Sequence, residues 1–169
     1  ISNFSPSNET SFSEIWNTRP REPQYIMLYG NKIKVPRNTR AYGLDYAFSG
    51  QVSLADPWTP QLQQMINSIK EIDKSTEYNS GLINWYQPEH YIGQHADDES
   101  NCVKNSNIAS VSWGCTRRFR LTSKTHHSIT LDLKDGDLVI MGGTCQKTHK
   151  HEIMKLRKKD IHKNRINFT

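Results

Sequence analysis

His95 and Asp97 have the residue types and spacing best suited to binding a metal in this chain. In an extended strand, residues two apart project to the same face, so an imidazole and a carboxylate can meet one ion. A second histidine from a distant strand would complete two histidines and one carboxylate, a set that leaves open positions on Fe(II). Candidates lie in three later regions: His126-His127, His149 with His151, and His162. His-x-Asp alone is common in unrelated proteins, so a solvated loop stays the alternative.

The last five residues alternate polar and apolar side chains. As a strand, Arg165, Asn167 and Thr169 would share one face, opposite Ile166 and Phe168. A guanidinium with hydrogen-bonding neighbours suits a carboxylate, because its planar fork can bind both oxygens. Taken alone, the segment also matches the exposed polar face of an edge strand.

The composition of the 169-residue chain excludes several classes of protein. Hydrophobic residues make up 34% and include aromatic and β-branched side chains throughout, which argues against a disordered chain. The longest apolar runs, such as the one from Leu138 to Met141, fall far short of the roughly 20 residues that a membrane span needs. The net charge of +5 permits an anionic partner such as nucleic acid.

The three cysteines, Cys102, Cys115 and Cys145, do not form a recognisable framework. Their number is odd, and their spacing fits neither paired disulfides nor a Cys-x-x-Cys zinc site. We therefore expect reduced thiols and an intracellular protein, nuclear or cytoplasmic.

The N-terminal third contains two segments that differ in composition and hydrophobic pattern. Residues 1–24 are rich in Ser, Asn, Thr and Pro without a period, which predicts a loose leader. Residues 25–29 and 32–35 are strand-like, and Gly30-Asn31 between them suits a tight hairpin turn. The region from residue 41 to 55 predicts a further strand and a loop.

The rest of the chain predicts one helix followed by many strands. Thr59-Pro60 resembles an N-cap and first helical position, and an apolar stripe then runs towards Lys74. Strands are predicted at 82–86, 91–97, 108–113, 118–121, 128–133, 138–141, 149–154 and 165–169. Few helices and many short strands indicate a mainly β (α+β) sandwich or barrel rather than alternating βαβ units.

Four separated motifs occur together in this order. They are Asn84-Trp85-Tyr86; His95-Ala96-Asp97-Asp98-Glu99; Ile108-Ala109-Ser110-Val111-Ser112-Trp113-Gly114; and His151 followed by Arg165-Ile166-Asn167-Phe168-Thr169. Jointly they resemble the AlkB family of Fe(II)- and 2-oxoglutarate-dependent nucleic-acid dealkylases. The resemblance implies a single dioxygenase domain at residues 25–169 with a double-stranded β-helix (jelly-roll) core. It also implies an N-terminal hairpin lid for nucleotide recognition, at about residues 25–55, and one or two supporting helices.

The resemblance implies roles for individual residues. The residues implied to bind iron are His95, Asp97 and His151. The residues implied to surround 2-oxoglutarate are Asn84, Tyr86, Arg165, Asn167 and Thr169. Asp98 and Glu99 would lie at the substrate base, with Glu99 facing the exocyclic amino group of the damaged base.

The N-terminal half resembles the duplex-acting branch of that family. Leu44-Asp45-Tyr46-Ala47-Phe48-Ser49-Gly50 resembles its base-pocket segment, which makes Phe48 the stacking face and Tyr46 and Ser49 its polar neighbours. Tyr29-Gly30 resembles the aromatic finger that fills the gap left by a flipped base, and Arg37 would contact phosphate. An aromatic wedge is physically reasonable, because it replaces part of the stacking lost on extrusion. Tyr29 packing on its own sheet is the alternative.

Two features depart from the resemblance. The family motif carries a further arginine two positions beyond Thr169, where this sequence stops. The connection between Thr122 and Ser128 is short where duplex-acting relatives carry a long basic loop. The second departure leaves single-stranded DNA or RNA open as substrate.

The activity implied is oxidative demethylation of N1-methyladenine and N3-methylcytosine in DNA or RNA. It would consume 2-oxoglutarate and O2 and release formaldehyde, succinate and CO2, with Fe(II) as the metal. We expect a monomer without membrane association. An RNA demethylase acting on viral or cellular transcripts is one alternative. A non-catalytic basic nucleic-acid-binding module is another, from a different class, and a hydroxylase of proteins or small molecules is a third.

Overall fold

A computed structural model describes residues 1–28, 30–48, 51–98, 102–156 and 163–169. Within these ranges the chain forms three helices and thirteen strands, numbered here in chain order. The helices are α1 Glu9–Asn17, α2 Pro60–Ile72 and α3 Cys145–Thr148. The strands are β1 Tyr25–Leu28, β2 Asn31–Lys34, β3 Asn38–Tyr42, β4 Tyr46–Phe48, β5 Gln51–Ser53, β6 Gly81–Tyr86, β7 Ile92–His95, β8 Ile108–Gly114, β9 Arg117–Ser123, β10 Ser128–Leu133, β11 Leu138–Met141, β12 His149–Ile153 and β13 Arg165–Phe168.

Two antiparallel sheets form the body of the protein. One has the strand order β11-β8-β13-β6-β3, and the other has the order β10-β9-β12-β7. Asn84 of β6 and His151 of β12 line the same cavity, so the two sheets face each other. The mainly β architecture predicted from the sequence is confirmed.

The five-stranded sheet buries both of its faces. Its outer face packs against α1 and α2 through an apolar cluster that includes Trp85, Ile166 and Phe168. Its inner face turns towards the second sheet, where Tyr86 joins a separate cluster. β13 lies between β6 and β8, which explains why all four of its residues are buried. The polar and apolar alternation of this segment therefore belongs to a central strand, not to an exposed edge strand.

Helix α2 confirms the helix predicted after Thr59. The Thr59 side chain accepts a hydrogen bond from the Leu62 backbone N–H, and Pro60 occupies the first turn. Leu62, Ile66 and Ile69 are buried, as the apolar stripe requires. The helix ends at Ile72, two residues before Lys74, because Asp73 is extended and caps the end.

Residues 1–24 differ from the loose leader expected. They contain α1, which begins with a reciprocal capping box between Asn8 and Ser11. Ile15 is buried in the core, and its carbonyl accepts a hydrogen bond from the Trp85 indole. Asn8 and Ser11, two of the polar residues that suggested a loop, are thus capping residues, and the segment covers the outer face of the sheet.

The lid region forms two ribbons, β1-β2 and β4-β5. All four residues of β2 are exposed, and Gly30 at the hairpin tip has φ +78°. The base of the first ribbon is fixed by Gln24, whose side chain bonds to the backbone of Thr39. Among the described residues, each helix is too short or too polar to cross a lipid bilayer.

Candidate metal centre and co-substrate pocket

His95, Asp97 and His151 come together in the cavity between the two sheets. One potential ligand atom from each lies within 4.8 Å of the others. His151 Nε2 is 3.4 Å from Asp97 Oδ2, and His95 Nε2 is 3.5 Å from Asp97 Oδ1. The arrangement arises because His95 of β7 and His151 of β12 are direct cross-strand partners.

Other contacts orient these three side chains. His95 Nδ1 lies 2.9 Å from the Gly93 carbonyl, an acceptor, so Nδ1 carries the proton and Nε2 keeps its lone pair. The His151 ring stacks on Phe119, with centroids 5.5 Å apart. Asp97 lies beyond the end of β7 rather than inside the strand expected over residues 91–97. Its backbone N–H donates to Gln146 Oε1 of α3 at 3.0 Å.

The electrostatics of the cluster suit a divalent metal. Asp97 Oδ2 is buried and has no hydrogen-bond partner among the described residues. Burial alone would raise the pKa of Asp97, but His151 above all, together with His95, outweighs burial and lowers it. Burial, followed by repulsion from His151, lowers the pKa of His95 to about 4. Asp97 is therefore a carboxylate and His95 a neutral imidazole at neutral pH, and these forms can bind Fe(II).

The lowered pKa of His95 predicts that the metal-free protein loses stability as the pH falls from 6.5 to 4. In this window the unfolded chain binds a proton at His95 that the folded chain does not. Stability therefore rises with pH, by up to about 3 kcal/mol across the window for this group. Urea unfolding of chelator-treated protein at several pH values measures it.

His95→Gln is the matched variant for that measurement. Between pH 4 and 6.5, the pH dependence of its free energy of unfolding should correspond to about one fewer proton taken up on unfolding than in wild type. Equal slopes for the two proteins would contradict the assignment of this titration to His95.

Arg165 is buried in the central strand next to the cavity. Its Nη2 donates to Ser112 Oγ at 2.9 Å, and its guanidinium carbon lies 5.1 Å from the centroid of the Tyr86 ring. Nε and Nη1 have no hydrogen-bond partner among the described residues, although Arg165 is only 1% exposed. Burial lowers the pKa of Arg165 to about 10, so the group remains charged at neutral pH. An unpaired buried cation behind Tyr86 fits a pocket that receives a carboxylate.

Asn167 of β13 and Thr169, which directly follows this strand, both line the cavity. Asn167 Nδ2 donates to Ser110 Oγ and to the Val111 carbonyl at 2.8 and 2.9 Å, and Thr169 Oγ1 donates to Asn167 Oδ1 at 2.8 Å. The Asn167 amide is therefore saturated by the protein. Its predicted contact with 2-oxoglutarate stays a prediction.

Asn84 and Tyr86 line the cavity from β6. Arg37 also lines it, and its Nε donates to Asn84 Oδ1 at 2.7 Å. The guanidinium predicted to contact phosphate is thus engaged with a residue predicted to surround 2-oxoglutarate. The cavity as a whole has a volume of about 580 Å3.

The structure describes only part of the predicted base pocket. Tyr46 and Phe48 belong to β4, which pairs with β5. Asp98 is exposed beside the metal cluster, and Gly30 is exposed at the tip of the first ribbon. Tyr29, Ser49 and Glu99 lie outside the described residues.

Sequence reasoning missed three residues that support the site. Gln146 fixes the backbone at Asp97, Ser112 accepts from Arg165, and Ser110 accepts from Asn167. The alternation of Ser110 and Ser112 along β8 is a signal that these hydroxyls share a face. For Gln146 the sequence offers no such signal, because α3 has four residues and no apolar stripe.

The chain matches the family model of the 2OG-Fe(II) oxygenase superfamily over residues 7–169. With the His95–Asp97–His151 cluster in place, the chain therefore belongs to the 2OG-Fe(II) oxygenase superfamily. This confirms the oxygenase class and the cofactors Fe(II) and 2-oxoglutarate predicted from the sequence.

Individual relatives carry AlkB names. The chain is 32% identical over 157 residues to the DNA oxidative demethylase ALKBH2 of Mus musculus, with 85% of this chain and 64% of that protein covered. It is 31% identical over 176 residues to the Homo sapiens ALKBH2, with 92% and 66% covered. It is 33% identical over 133 residues to the alpha-ketoglutarate-dependent dioxygenase alkB homolog 3 of Homo sapiens, with 71% and 46% covered. The AlkB resemblance is confirmed, although the chain spans less than two thirds of the length of these relatives.

A solved structure described as "The structure of OsALKBH1" has the same fold. It superimposes with a TM-score of 0.65 at 14% identity, covering 99% of this chain and 94% of that chain. This likeness concerns the fold and confirms the jelly-roll architecture expected.

Proposed function

We propose that this chain oxidatively demethylates N-alkylated bases of nucleic acid, with N1-methyladenine and N3-methylcytosine as substrates. The observation that carries the proposal is the His95–Asp97–His151 cluster, partly buried in a cavity, together with the nearby Arg165 guanidinium, whose Nε and Nη1 have no hydrogen-bond partner among the described residues. The names of the ALKBH2 relatives, DNA oxidative demethylases, support the substrate class. We also propose that the protein is intracellular and monomeric.

Different residues of the chain would bind the metal, bind the co-substrate and exclude water. His95, Asp97 and His151 would hold Fe(II), which activates O2 for oxidation of a C–H bond at the expense of 2-oxoglutarate. Arg165 would supply the positive charge for a co-substrate carboxylate. Apolar side chains that line the cavity exclude water from the oxidation, and they are Ile92, Phe119, Met141 and Ile153.

The balance of the reaction requires no acid or base from the protein. One oxygen atom of O2 is incorporated into succinate as 2-oxoglutarate loses CO2. The other is inserted into a C–H bond of the N-methyl group. The hydroxymethyl product then breaks its C–N bond to release formaldehyde and the unmethylated base. Placement of the methyl carbon is the principal contribution of the site.

The experiment that tests the proposal uses N1-methyladenine in single-stranded DNA, duplex DNA and RNA. The protein is incubated aerobically with Fe(II), 2-oxoglutarate and each oligonucleotide, and mass spectrometry follows the loss of about 14 mass units. Formaldehyde in equal amount is expected. Binding without loss of mass would favour a nucleic-acid-binding module, and turnover of 2-oxoglutarate without an oligonucleotide would favour a hydroxylase of other substrates.

The strand type is open to the same experiment. The β9-β10 connection has only four residues, 124–127. It is too short for a loop that crosses to a second strand, which favours single-stranded DNA or RNA. RNA as the fastest substrate would favour the alternative function, demethylation of transcripts.

One face of the first ribbon has the chemistry of a nucleic-acid contact. Tyr25 and Met27 lie on the face that also carries their cross-strand partners Lys34 and Lys32. Tyr25 is 41% exposed, and Lys32 Nζ is 4.7 Å from its ring centroid. Aromatic and cationic groups together suit stacked bases and phosphates.

The double variant Lys32→Gln/Lys34→Gln should weaken oligonucleotide binding and reduce its dependence on salt. Each lysine that neutralises a phosphate contributes about 0.7–0.9 to the slope of log K against log salt, so the slope should fall by about 1.5. Fluorescence anisotropy at several salt concentrations measures the slope.

Lys74→Gln/Lys134→Gln is the charge-matched control for the ribbon. Both lysines are exposed and lie outside the ribbon. An equal effect of the two double variants would show that only the net charge matters. It would contradict a contact between the ribbon and the oligonucleotide.

A further inference from the structure

The contact between Arg37 and Asn84 joins the base of the lid to the wall of the cavity. Arg37 lies between β2 and β3, and its Nε donates to Asn84 Oδ1 at 2.7 Å. The neighbouring Pro36 carbonyl accepts from the Tyr91 backbone N–H at 3.1 Å, which holds this turn against the segment that precedes β7. The half-buried guanidinium therefore has a defined position beside β6.

The chemistry of the pair fixes which way the Asn84 amide points. A guanidinium only donates hydrogen bonds, so the atom of Asn84 that faces Arg37 must be the oxygen. Nδ2 then lies on the other side of the amide. Asn84 is 5% exposed and lines the cavity. Within the described ranges, Nδ2 has no hydrogen-bond acceptor.

The neighbouring amide is not free to take the same role. Asn167 is the cross-strand partner of Asn84. The Asn167 side-chain nitrogen already donates to Ser110 and Val111, and the Asn167 side-chain oxygen already accepts from Thr169. Of this amide pair, Asn84 is the one with an N–H available to a ligand in the cavity.

We propose that Arg37 is a positioning residue for the co-substrate: it holds the Asn84 amide so that Nδ2 donates to a carboxylate of 2-oxoglutarate. This inference rests on the proposed function for its ligand. It gives Arg37 a role different from the phosphate contact that the sequence suggested, which stays a prediction. The orientation of the Asn84 amide then depends on Arg37 at the base of the lid. One hydrogen bond, from Arg37 to Asn84, thus links the lid to the co-substrate pocket.

The test measures 2-oxoglutarate binding directly. Calorimetry under anaerobic conditions with Mn(II)-loaded protein gives the dissociation constant for wild type, Arg37→Gln and Asn84→Asp. Arg37→Gln should weaken 2-oxoglutarate binding about tenfold, because its amide can hold Asn84 in either orientation. Mn(II) affinity should not change, and the salt slope of oligonucleotide binding should also stay the same.

Asn84→Asp separates positioning from simple support of the fold. The carboxylate still accepts from Arg37, so the contact between lid and sheet survives, but the donor to the ligand is lost and a negative charge replaces it. 2-Oxoglutarate binding should fall by more than about 100-fold, with the thermal midpoint of the ligand-free protein retained. Arg118→Gln removes the same charge as Arg37→Gln, from outside the cavity lining, and should bind 2-oxoglutarate as wild type does.

Two results would overturn the inference. One is an unchanged dissociation constant in Arg37→Gln with a salt slope lowered by about one, which is the signature of a phosphate contact. The other is normal 2-oxoglutarate binding by Asn84→Asp. Wild type that binds 2-oxoglutarate but does not demethylate would refute the proposed function alone, because binding still reports on Arg37.

Discussion

Replacement of His151 by alanine should abolish both demethylation and Fe(II) binding. His151 is one of three ligands in the cluster, it is buried, and its Nε2 lies 3.4 Å from Asp97 Oδ2. Two remaining ligands hold a labile divalent metal poorly, and the metal affinity should fall by more than about 100-fold. Activity should fall by at least about 1,000-fold, since O2 chemistry without the metal has no alternative route. Asp97→Ala should have the same effect.

Metal titration monitored by the absorption band of the Fe(II)–2-oxoglutarate complex under anaerobic conditions measures the loss. His149→Ala is the matched control, because His149 lies on the same strand, two residues away, and contacts Thr148 rather than the cluster. His151→Gln preserves most of the volume that stacks on Phe119, so it separates loss of a ligand from loss of packing. Demethylation retained in His151→Gln and Asp97→Ala would refute the metal centre.

Replacement of Arg165 by methionine should abolish 2-oxoglutarate binding without weakening the ligand-free fold. A buried guanidinium with two unpaired nitrogens costs free energy, and a well-packed apolar side chain removes that cost. The free energy of unfolding of the ligand-free variant should stay the same or rise by about 1–3 kcal/mol. The affinity for 2-oxoglutarate should fall by more than about 100-fold, because the variant removes the guanidinium that would pair with a co-substrate carboxylate.

Thermal unfolding with and without ligand displays both effects in one experiment. For wild type, 2-oxoglutarate at 100 times its dissociation constant should stabilise the metal-loaded protein by about 2.7 kcal/mol. Arg165→Met should show no such shift. Ser112→Ala is the control, since it removes only the hydroxyl that accepts from Nη2 and should lower stability by about 1–3 kcal/mol. A strongly destabilised Arg165→Met that still binds 2-oxoglutarate would show that Arg165 acts in the fold alone.

The parts of the site carried by strand periodicity could be predicted from the sequence. Arg165 and Asn167 share a face because strand geometry fixes a period of two, whatever surrounds the strand. Their burial could not be predicted in the same way, since it depends on β13 lying between β6 and β8. Likewise, His95 was recognisable as a ligand, but the sequence motif does not show that Asp97 lies past the strand end and depends on Gln146.

The N-terminal segment escaped prediction for a different reason. Its helix begins with a capping box between Asn8 and Ser11, but the sequence lacks the usual Glu or Gln at the third helical position, and the surrounding Ser and Pro residues indicate a loop. What holds the helix in place is long-range: the Trp85 indole needs an acceptor and finds it at the Ile15 carbonyl, 70 residues away. Partners at such separations are set by tertiary packing, which local patterns do not encode. The same holds for Arg37, 47 residues from Asn84.

Hydrogen bonds at the base of the first ribbon, from Gln24 to Thr39 and from Tyr91 to Pro36, connect it to the rest of the molecule, while all of β2 is exposed to solvent. Side chains beyond that base can vary without any repacking of the interior. Natural variation and laboratory grafting can therefore replace the exposed part of this ribbon as a unit, while the two sheets keep their structure.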